Sequence, residues 1–284
     1  MITSQHISNV PPTSPALLEH VALKALENRH LIIDALTAAN SSHLGCSFSI
    51  IDILTVLYHC FLDVEKIKHN DPTRDYFILS KGHGACALYA ALASVQLLPA
   101  ELLKRYHGNG TQLSGHPQRG AFPGIEASTG SLGHGLPMAV GLAIAAKHDQ
   151  RPSKVYALVG DGECQEGSIW EALMMAARFQ LNNLTVIVDY NNLQGLDKTD
   201  DLVPGGLEVK FKAFGCSVKH VDGHDYAALI DTFNQPQLAA CPQVIIAHTT
   251  KGKGLAQIEN KLEWHYRSFK GDQHQLAKKE ITRL

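Results

Sequence analysis

Several protein classes are excluded by what the sequence lacks. None of its six cysteines (Cys46, Cys60, Cys86, Cys164, Cys216 and Cys241) forms a Cys-x-x-Cys pair. That argues against a structural zinc ribbon or a disulfide framework and for a reducing compartment, the cytoplasm. Neither sign of charge dominates: 25 Lys and Arg face 27 Asp and Glu, for a formal net charge of -2. No basic run is interleaved with aromatics, so neither nucleic acid nor a membrane surface is an expected partner. No apolar run approaches the roughly 18 residues that read as a bilayer span. The first residues, MITSQHISNVPPTSP, have no basic start and no apolar centre, so they do not read as a signal peptide. Their clustered prolines predict an extended lead over residues 1–15. Internal repeats, low-complexity tracts and linkers are also missing.

What is present fits a folded α/β protein. The chain has 284 residues, 45% hydrophobic and 18% charged, enough for one large or two small domains with a sizeable core. Apolar residues at helical spacing predict a helix over 16–40 with a polar break at Asn28-Arg29, and a second over 49–62 with Ser49 and Asp52 as a capping pair. Further helices are expected over 85–98, 135–148 and 168–181. The segments DYFILS, KVYALVG, NLTVIVDY and PQVIIAH read as short buried strands. Strands alternating with helices predict a parallel β-sheet with helices on both faces, in one domain over 16–268, followed by a polar tail over 269–284.

The chemistry gathers where the strands end. Val159-Gly160-Asp161-Gly162-Glu163-Cys164-Gln165-Glu166-Gly167 follows one apolar strand, and Asn191-Asn192 follows the next. In open parallel sheets, ligands bind beyond the carboxyl ends of the strands. Carboxylate and amide oxygens with a backbone carbonyl suit a hard divalent cation completed by phosphate oxygens. Glycine lets the backbone approach a phosphate, and the helix starting near Ser168 aims its N-terminus there. A lone Gly-Asp-Gly is an ordinary turn. Gly-Asp-Gly, a helix, a second apolar strand and then Asn-Asn is a rarer compound pattern.

That pattern resembles the thiamine diphosphate-binding motif, and the likeness extends along the chain. SSHLG (41–45), RDYFILSKGHG (74–84), GHP (115–117), STGSLGHGL (128–136), GDGECQEGSIWEA (160–172), DYNNLQ (189–194), TTKGKG (249–254) and EWHYRS (263–268) are similar, in order, to the N-terminal domain of transketolase. The resemblance implies that Asp161, Asn191 and the Leu193 carbonyl bind Mg²⁺ (or Ca²⁺ or Mn²⁺). It implies that Gly162, Gly130, Ser131, Leu132, Glu166, Lys251, His83 and His265 contact thiamine diphosphate, with Asn191 serving both groups. His43 and His116 would face the sugar. Histidine titrates near neutral pH, which suits proton transfers at sugar hydroxyl and carbonyl oxygens. A single loop histidine is usually just solvated; four inside matching motifs carry more weight. Glu171 matches an acidic position turned toward a partner chain, although an exposed helix face explains it equally.

A complete transketolase is more than twice as long. The resemblance therefore implies a split enzyme, in which a separate C-terminal subunit supplies the pyrimidine and C-terminal domains, in an α2β2 assembly acting on sugar phosphates. NNLQGLDKT departs from the family's usual loop after the asparagine, and SSHLG lacks the usual proline after histidine. Two other readings stay open: the α subunit of a 2-oxo acid dehydrogenase, which should lack these histidines, and a non-catalytic scaffold paralogue.

Overall fold

The structure is a computed structural model that describes residues 13–236 and 240–282; most of the lead expected over 1–15 lies outside them. In chain order, the main elements are α1 (Pro15–Ala38), α2 (Leu44–Val56), β1 (Tyr76–Leu79), α3 (Ala85–Ser94), α4 (Gly135–His148), β2 (Val155–Gly160), α5 (Gly167–Arg178), β3 (Leu184–Tyr190), α6 (Leu207–Ala213), β4 (Ser217–Asp222), α7 (Tyr226–Asn234), β5 (Gln243–His248) and α8 (Gln273–Ile281). The five strands are all parallel, in the order β1-β2-β3-β5-β4.

Period-two alternation divides the strand side chains between two cores. Phe77, Leu79, Tyr156, Leu158, Ile187 and Ile245 point into one, packed against α1, α2 and α3. Ile78, Ala157, Val159, Val186, Val188, Val244 and Ile246 point into the other, with residues of α4 and α5. Both faces are covered, which is why the central strands read as unbroken apolar runs.

Several local expectations are corrected. α2 begins at Leu44, not at 49, and all thirteen of its residues are buried. A helix buried all round shows no amphipathic period to mark its start. Ser49 is no cap: its hydroxyl donates to the Cys46 carbonyl (2.9 Å) and to Asp189 (2.7 Å). Asp52 is 1% exposed and accepts a two-pronged bond from Arg29 at 2.8 and 2.6 Å. The supposed break at Asn28-Arg29 is therefore an unbroken stretch of α1 whose polar groups face inward. With its terminal π turn (Leu57–Phe61), the α2 helical segment is long and apolar enough to cross a membrane, contrary to expectation. It is 83% buried inside the fold, as a core helix. β4 was not foreseen. It is an edge strand, and Lys219 and His220 break the apolar pattern. Within the segment expected as a polar tail, α8 packs on α1 with Ala277 and Ile281 fully buried, and Lys278 bridges to Asp34 at 2.8 Å.

Candidate active site

The carboxyl edge of the sheet brings the two acidic and amide loops together. Gly160 at the end of β2 lies opposite Asp189 of β3, so the loops that follow run side by side. Asp161 Oδ2 accepts from the Asn192 amide at 2.6 Å, and Oδ1 from the Gly162 amide at 2.8 Å. The Gln194 side chain packs directly on Gly162, where an added Cβ would stand 2.8 Å from Gln194 Cγ. Asn191 Oδ1 accepts from the Leu193 amide (3.1 Å), and the Leu193 carbonyl accepts from Lys251 Nζ (3.1 Å).

The donors fit a hard cation. Asp161 is 3% exposed and has no ion-pair partner among the described residues. Burial, followed by the nearby Asp189 carboxylate, pushes its pKa up to about 7. A carboxylate held this unfavourably, beside amide and carbonyl oxygens, is stabilised by a bound divalent ion.

Beneath these loops lies a buried polar frame that the sequence analysis missed. Asp189 is fully buried and accepts from Lys81 Nζ, Ser49, Thr249 Oγ1 and Asn191 Nδ2. Burial alone would raise the Asp189 pKa, but the Lys81 ammonium outweighs it and holds the carboxyl below its usual range. Glu163 is 1% exposed. Its Oε1 accepts from Ser80 Oγ (2.6 Å) and the Gly133 amide (2.9 Å), and its Oε2 accepts from the Gly160 amide (3.1 Å). One side chain thus ties the end of β1, the end of β2 and the loop before α4. Burial raises its pKa. Asp189 was legible as the one charged residue in an apolar strand, and Lys81 as part of SKGHG.

Three of the four predicted histidines form a cluster beside this frame. His43 precedes α2 with φ 73°, in the left-handed region that costs a branched or bulky residue energy. His83 follows β1 in the turn Gly82–Gly84, and His265 ends the turn Leu262–His265. Ring centres lie 5.2 Å apart for His43 and His83, 5.3 Å for His43 and His265, and 5.8 Å for His83 and His265. Burial lowers the His83 pKa, which favours the neutral ring. Lys251, 1% exposed, joins the cluster to the cation donors, because its Nζ reaches both His265 Nδ1 (2.8 Å) and the Leu193 carbonyl. Burial lowers its pKa.

The remaining predicted residues lie around the rim. His116 is exposed and rests against Gly130, where an added Cβ would lie 3.0 Å from its Cδ2. Burial lowers the His116 pKa, followed by the neighbouring His43. Gly82 presses on the Gly130 backbone: a Cβ there would stand 2.7 Å from the Gly130 nitrogen. Ser131 and Glu166 are exposed and Leu132 is half-buried; Glu166 lies beside Gly133. Glu171 is exposed on α5, without an ion pair among the described residues. Cys46, not singled out from sequence, is 2% exposed, with its sulfur 3.8 Å from His265 Nδ1.

A parallel sheet covered on both faces, with two polar loops side by side at its carboxyl edge, has the architecture of an α/β cofactor-binding domain. Residues 21–282 match the family model described as transketolase, thiamine diphosphate binding domain, and the chain belongs to that family. It is 42% identical over 259 residues to one subunit of the apulose-4-phosphate transketolase of Actinobacillus succinogenes, covering 91% of this chain and 94% of the relative. It is 39% identical over 239 residues to the 6-deoxy-6-sulfo-D-fructose transketolase subunit SqwG of a Clostridium species, covering 84% and 87%. The crystal structure of transketolase from Campylobacter jejuni superposes with a TM-score of 0.84 at 30% identity, covering 95% of this chain and 43% of that one. The chain thus spans nearly the whole length of the subunit relatives and less than half of the longer transketolase.

Proposed function

We propose that the chain is the diphosphate-binding subunit of a two-chain transketolase. It transfers a two-carbon ketol unit from a ketose phosphate to an aldose phosphate. A second chain supplies the pyrimidine and C-terminal domains, in an α2β2 assembly. The observation that carries this reading is the joining of two sets of groups on one sheet edge: Asp161, Asn191 and Leu193 for a cation, and the cluster of His43, His83 and His265 for the cofactor and sugar, linked through Lys251. The histidine cluster speaks against a 2-oxo acid dehydrogenase α subunit. The buried Asp161, whose charge burial opposes, speaks against a scaffold, because folding alone has no use for it.

Thiamine diphosphate, when bound, supplies the nucleophilic carbon and the electron sink. The protein's own groups hold and orient. Asp161, Asn191 and the Leu193 carbonyl hold Mg²⁺, and Gly162 and Gly130 to Leu132 bring backbone close to the cofactor, with Glu166 at the rim. Lys251 stands by the diphosphate. His83 and His265 serve as proton acceptors or donors near the reacting carbon, and His43 and His116 orient sugar hydroxyls. Relatives named for apulose 4-phosphate and for 6-deoxy-6-sulfo-D-fructose extend the donor panel beyond ordinary pentose phosphates.

The test is co-expression with the product of the adjacent gene, followed by a ketol-transfer assay. The donors are xylulose 5-phosphate, apulose 4-phosphate and 6-deoxy-6-sulfo-D-fructose, with each chain alone as control. Transfer from any of them only in the mixture, lost in Asp161→Ala, is the expected result. Cofactor binding without transfer from any donor moves the proposal to another sugar; neither binding nor transfer favours the scaffold.

A further inference from the structure

We propose that the cleft between the end of α1 and the segment from Trp264 to Gln273 is an anion site, which binds the phosphate or sulfonate end of the sugar. The cleft has a volume of about 600 Å³. It is lined by Asn40, Arg267, Ser268, Lys270 and Gln273, together with the rings of Trp264 and Tyr266. Two cations therefore face it and no carboxylate does. Tyr266, Arg267 and Ser268 are the part of EWHYRS to which the proposed function gives no role.

The polar groups of the cleft are left as donors. Ser268 Oγ donates to Asn40 Oδ1 at 2.9 Å, and Gln273 Oε1 accepts from the Lys270 amide at 3.0 Å. Both amide side chains thus have their oxygens engaged, which leaves their NH2 groups to donate. The Arg267 side chain is 64% exposed, and its one ion pair among the described residues is a contact of 4.0 Å with Glu263. An exposed pair of that length holds the guanidinium weakly. Lys270 is exposed and has no ion pair among the described residues. A guanidinium fork, an ammonium and two amide NH2 groups match a tetrahedral oxyanion: the fork takes two oxygens and the ammonium acts as a point charge.

Tyr266 joins the cleft to the histidine cluster. It is 66% exposed, and its ring centre lies 4.6 Å from that of His265 and 6.5 Å from that of His43. Its ring is therefore a wall shared by the cleft and the histidines. The charged end of a ketose phosphate lies at the far end of the sugar from the carbons that react. An anion site one aromatic ring away from the cluster suits that end. Trp264 is 7% exposed and packs on Phe269 with ring centres 5.1 Å apart, which anchors the segment that carries Arg267 and Lys270. The assignment to a sugar rests on the transketolase reading; the preference for an oxyanion rests on the cleft alone.

The experiment compares three ketoses of one carbon skeleton: D-fructose, D-fructose 6-phosphate and 6-deoxy-6-sulfo-D-fructose. In the first arm each is titrated into the full chain at fixed ionic strength, and tryptophan fluorescence reports on Trp264. A saturable change is expected with the phosphate, the sulfonate or both, and none with fructose over the same range. The tighter of the two anions identifies the oxyanion that the cleft takes. Arg267→Gln and Lys270→Gln should each weaken that binding about tenfold or more, the loss expected for a hydrogen bond between charged groups. Their circular dichroism should match the wild type, and Lys104→Gln should bind as the wild type does. No saturable change, equal binding of fructose, or undiminished binding by both variants overturns the proposal. In the second arm the two-chain complex is assayed for ketol transfer with the charged donor it uses and with that donor's uncharged counterpart. Both variants should raise KM for the charged donor about tenfold or more at unchanged kcat, and leave KM for the uncharged one unaltered. Equal effects on the two donors overturn the assignment to the sugar. If the wild type transfers no ketol unit but the first arm gives the expected result, the transketolase reading fails and the anion site stands. Transfer by the wild type without discrimination in the first arm removes the anion site alone.

Discussion

The Arg29–Asp52 pair lends itself to a quantitative test. Arg29 is 4% exposed and Asp52 1%, and two bonds of 2.8 and 2.6 Å join them across α1 and α2. Asp52 also accepts from Tyr226 (2.9 Å) and contacts His224 Nδ1 (2.7 Å), and His224 Nε2 accepts from the Thr250 amide at 2.8 Å. The network therefore reaches the segment that carries Lys251. Asp52→Ala strands a buried guanidinium, a loss of about 3–5 kcal/mol. At about 2–4 °C per kcal/mol for a domain of this size, the melting temperature should fall by roughly 6–20 °C. The double variant Arg29→Met/Asp52→Leu removes both charges and should recover at least half of that loss, because apolar replacement of a buried pair is often near neutral. Burial opposes the Asp52 charge, but Arg29 and His224 outweigh it and hold the carboxyl below the usual range. Its contribution is thus complete above the ordinary carboxylate pKa near 4 and is lost as pH falls below it. Urea unfolding of the wild type and both variants at pH 7 and at about pH 3, inside that window, is the assay. A single-variant cost below about 1 kcal/mol, or a double variant as unstable as the single, refutes the reasoning.

Three other outcomes follow from the same geometry. Gly82→Ala drives a Cβ to 2.7 Å from the Gly130 nitrogen, where only backbone can yield, so stability in urea should fall by about 1–3 kcal/mol; an unchanged midpoint contradicts the close approach. Burial, with His20 and Lys24 adding to it, lowers the His59 pKa from 6.5 to about 4. The unfolded chain therefore takes up this proton first as the solution is acidified, so stability should fall from pH 6.5 toward pH 4. His59→Gln should flatten that part of the pH profile, and an identical profile in both proteins counts against the shift. Lys81→Met leaves the buried Asp189 without its cation; it should cost about 3–5 kcal/mol in urea unfolding, and a cost near zero would remove the frame from the account.

The central sheet and the two polar loops at its carboxyl edge were legible because their signals are local. β2 and β3 are short apolar runs that end in Gly160 and Tyr190, and α4 occupies the segment its small apolar residues predict. What escaped depends on partners distant in sequence. Asp189 and Lys81 are 108 positions apart and Arg29 and Asp52 are 23 apart, so neither pair shows a spacing rule. The start of α2 was misplaced because helix periodicity vanishes when every face is buried. β4 was missed because its edge position leaves Lys219 and His220 in a pattern that reads as loop. Cys46 carried no motif; only the folded chain brings its sulfur to His265.

The most direct test of the central claim is calorimetric titration of thiamine diphosphate into the chain assembled with its partner, in Mg²⁺ and in chelator, for the wild type and Asp161→Ala. The account predicts binding that requires Mg²⁺ in the wild type and is absent in Asp161→Ala, whose fold by circular dichroism is unchanged. Equal binding with and without the metal, or undiminished binding by Asp161→Ala, would contradict it.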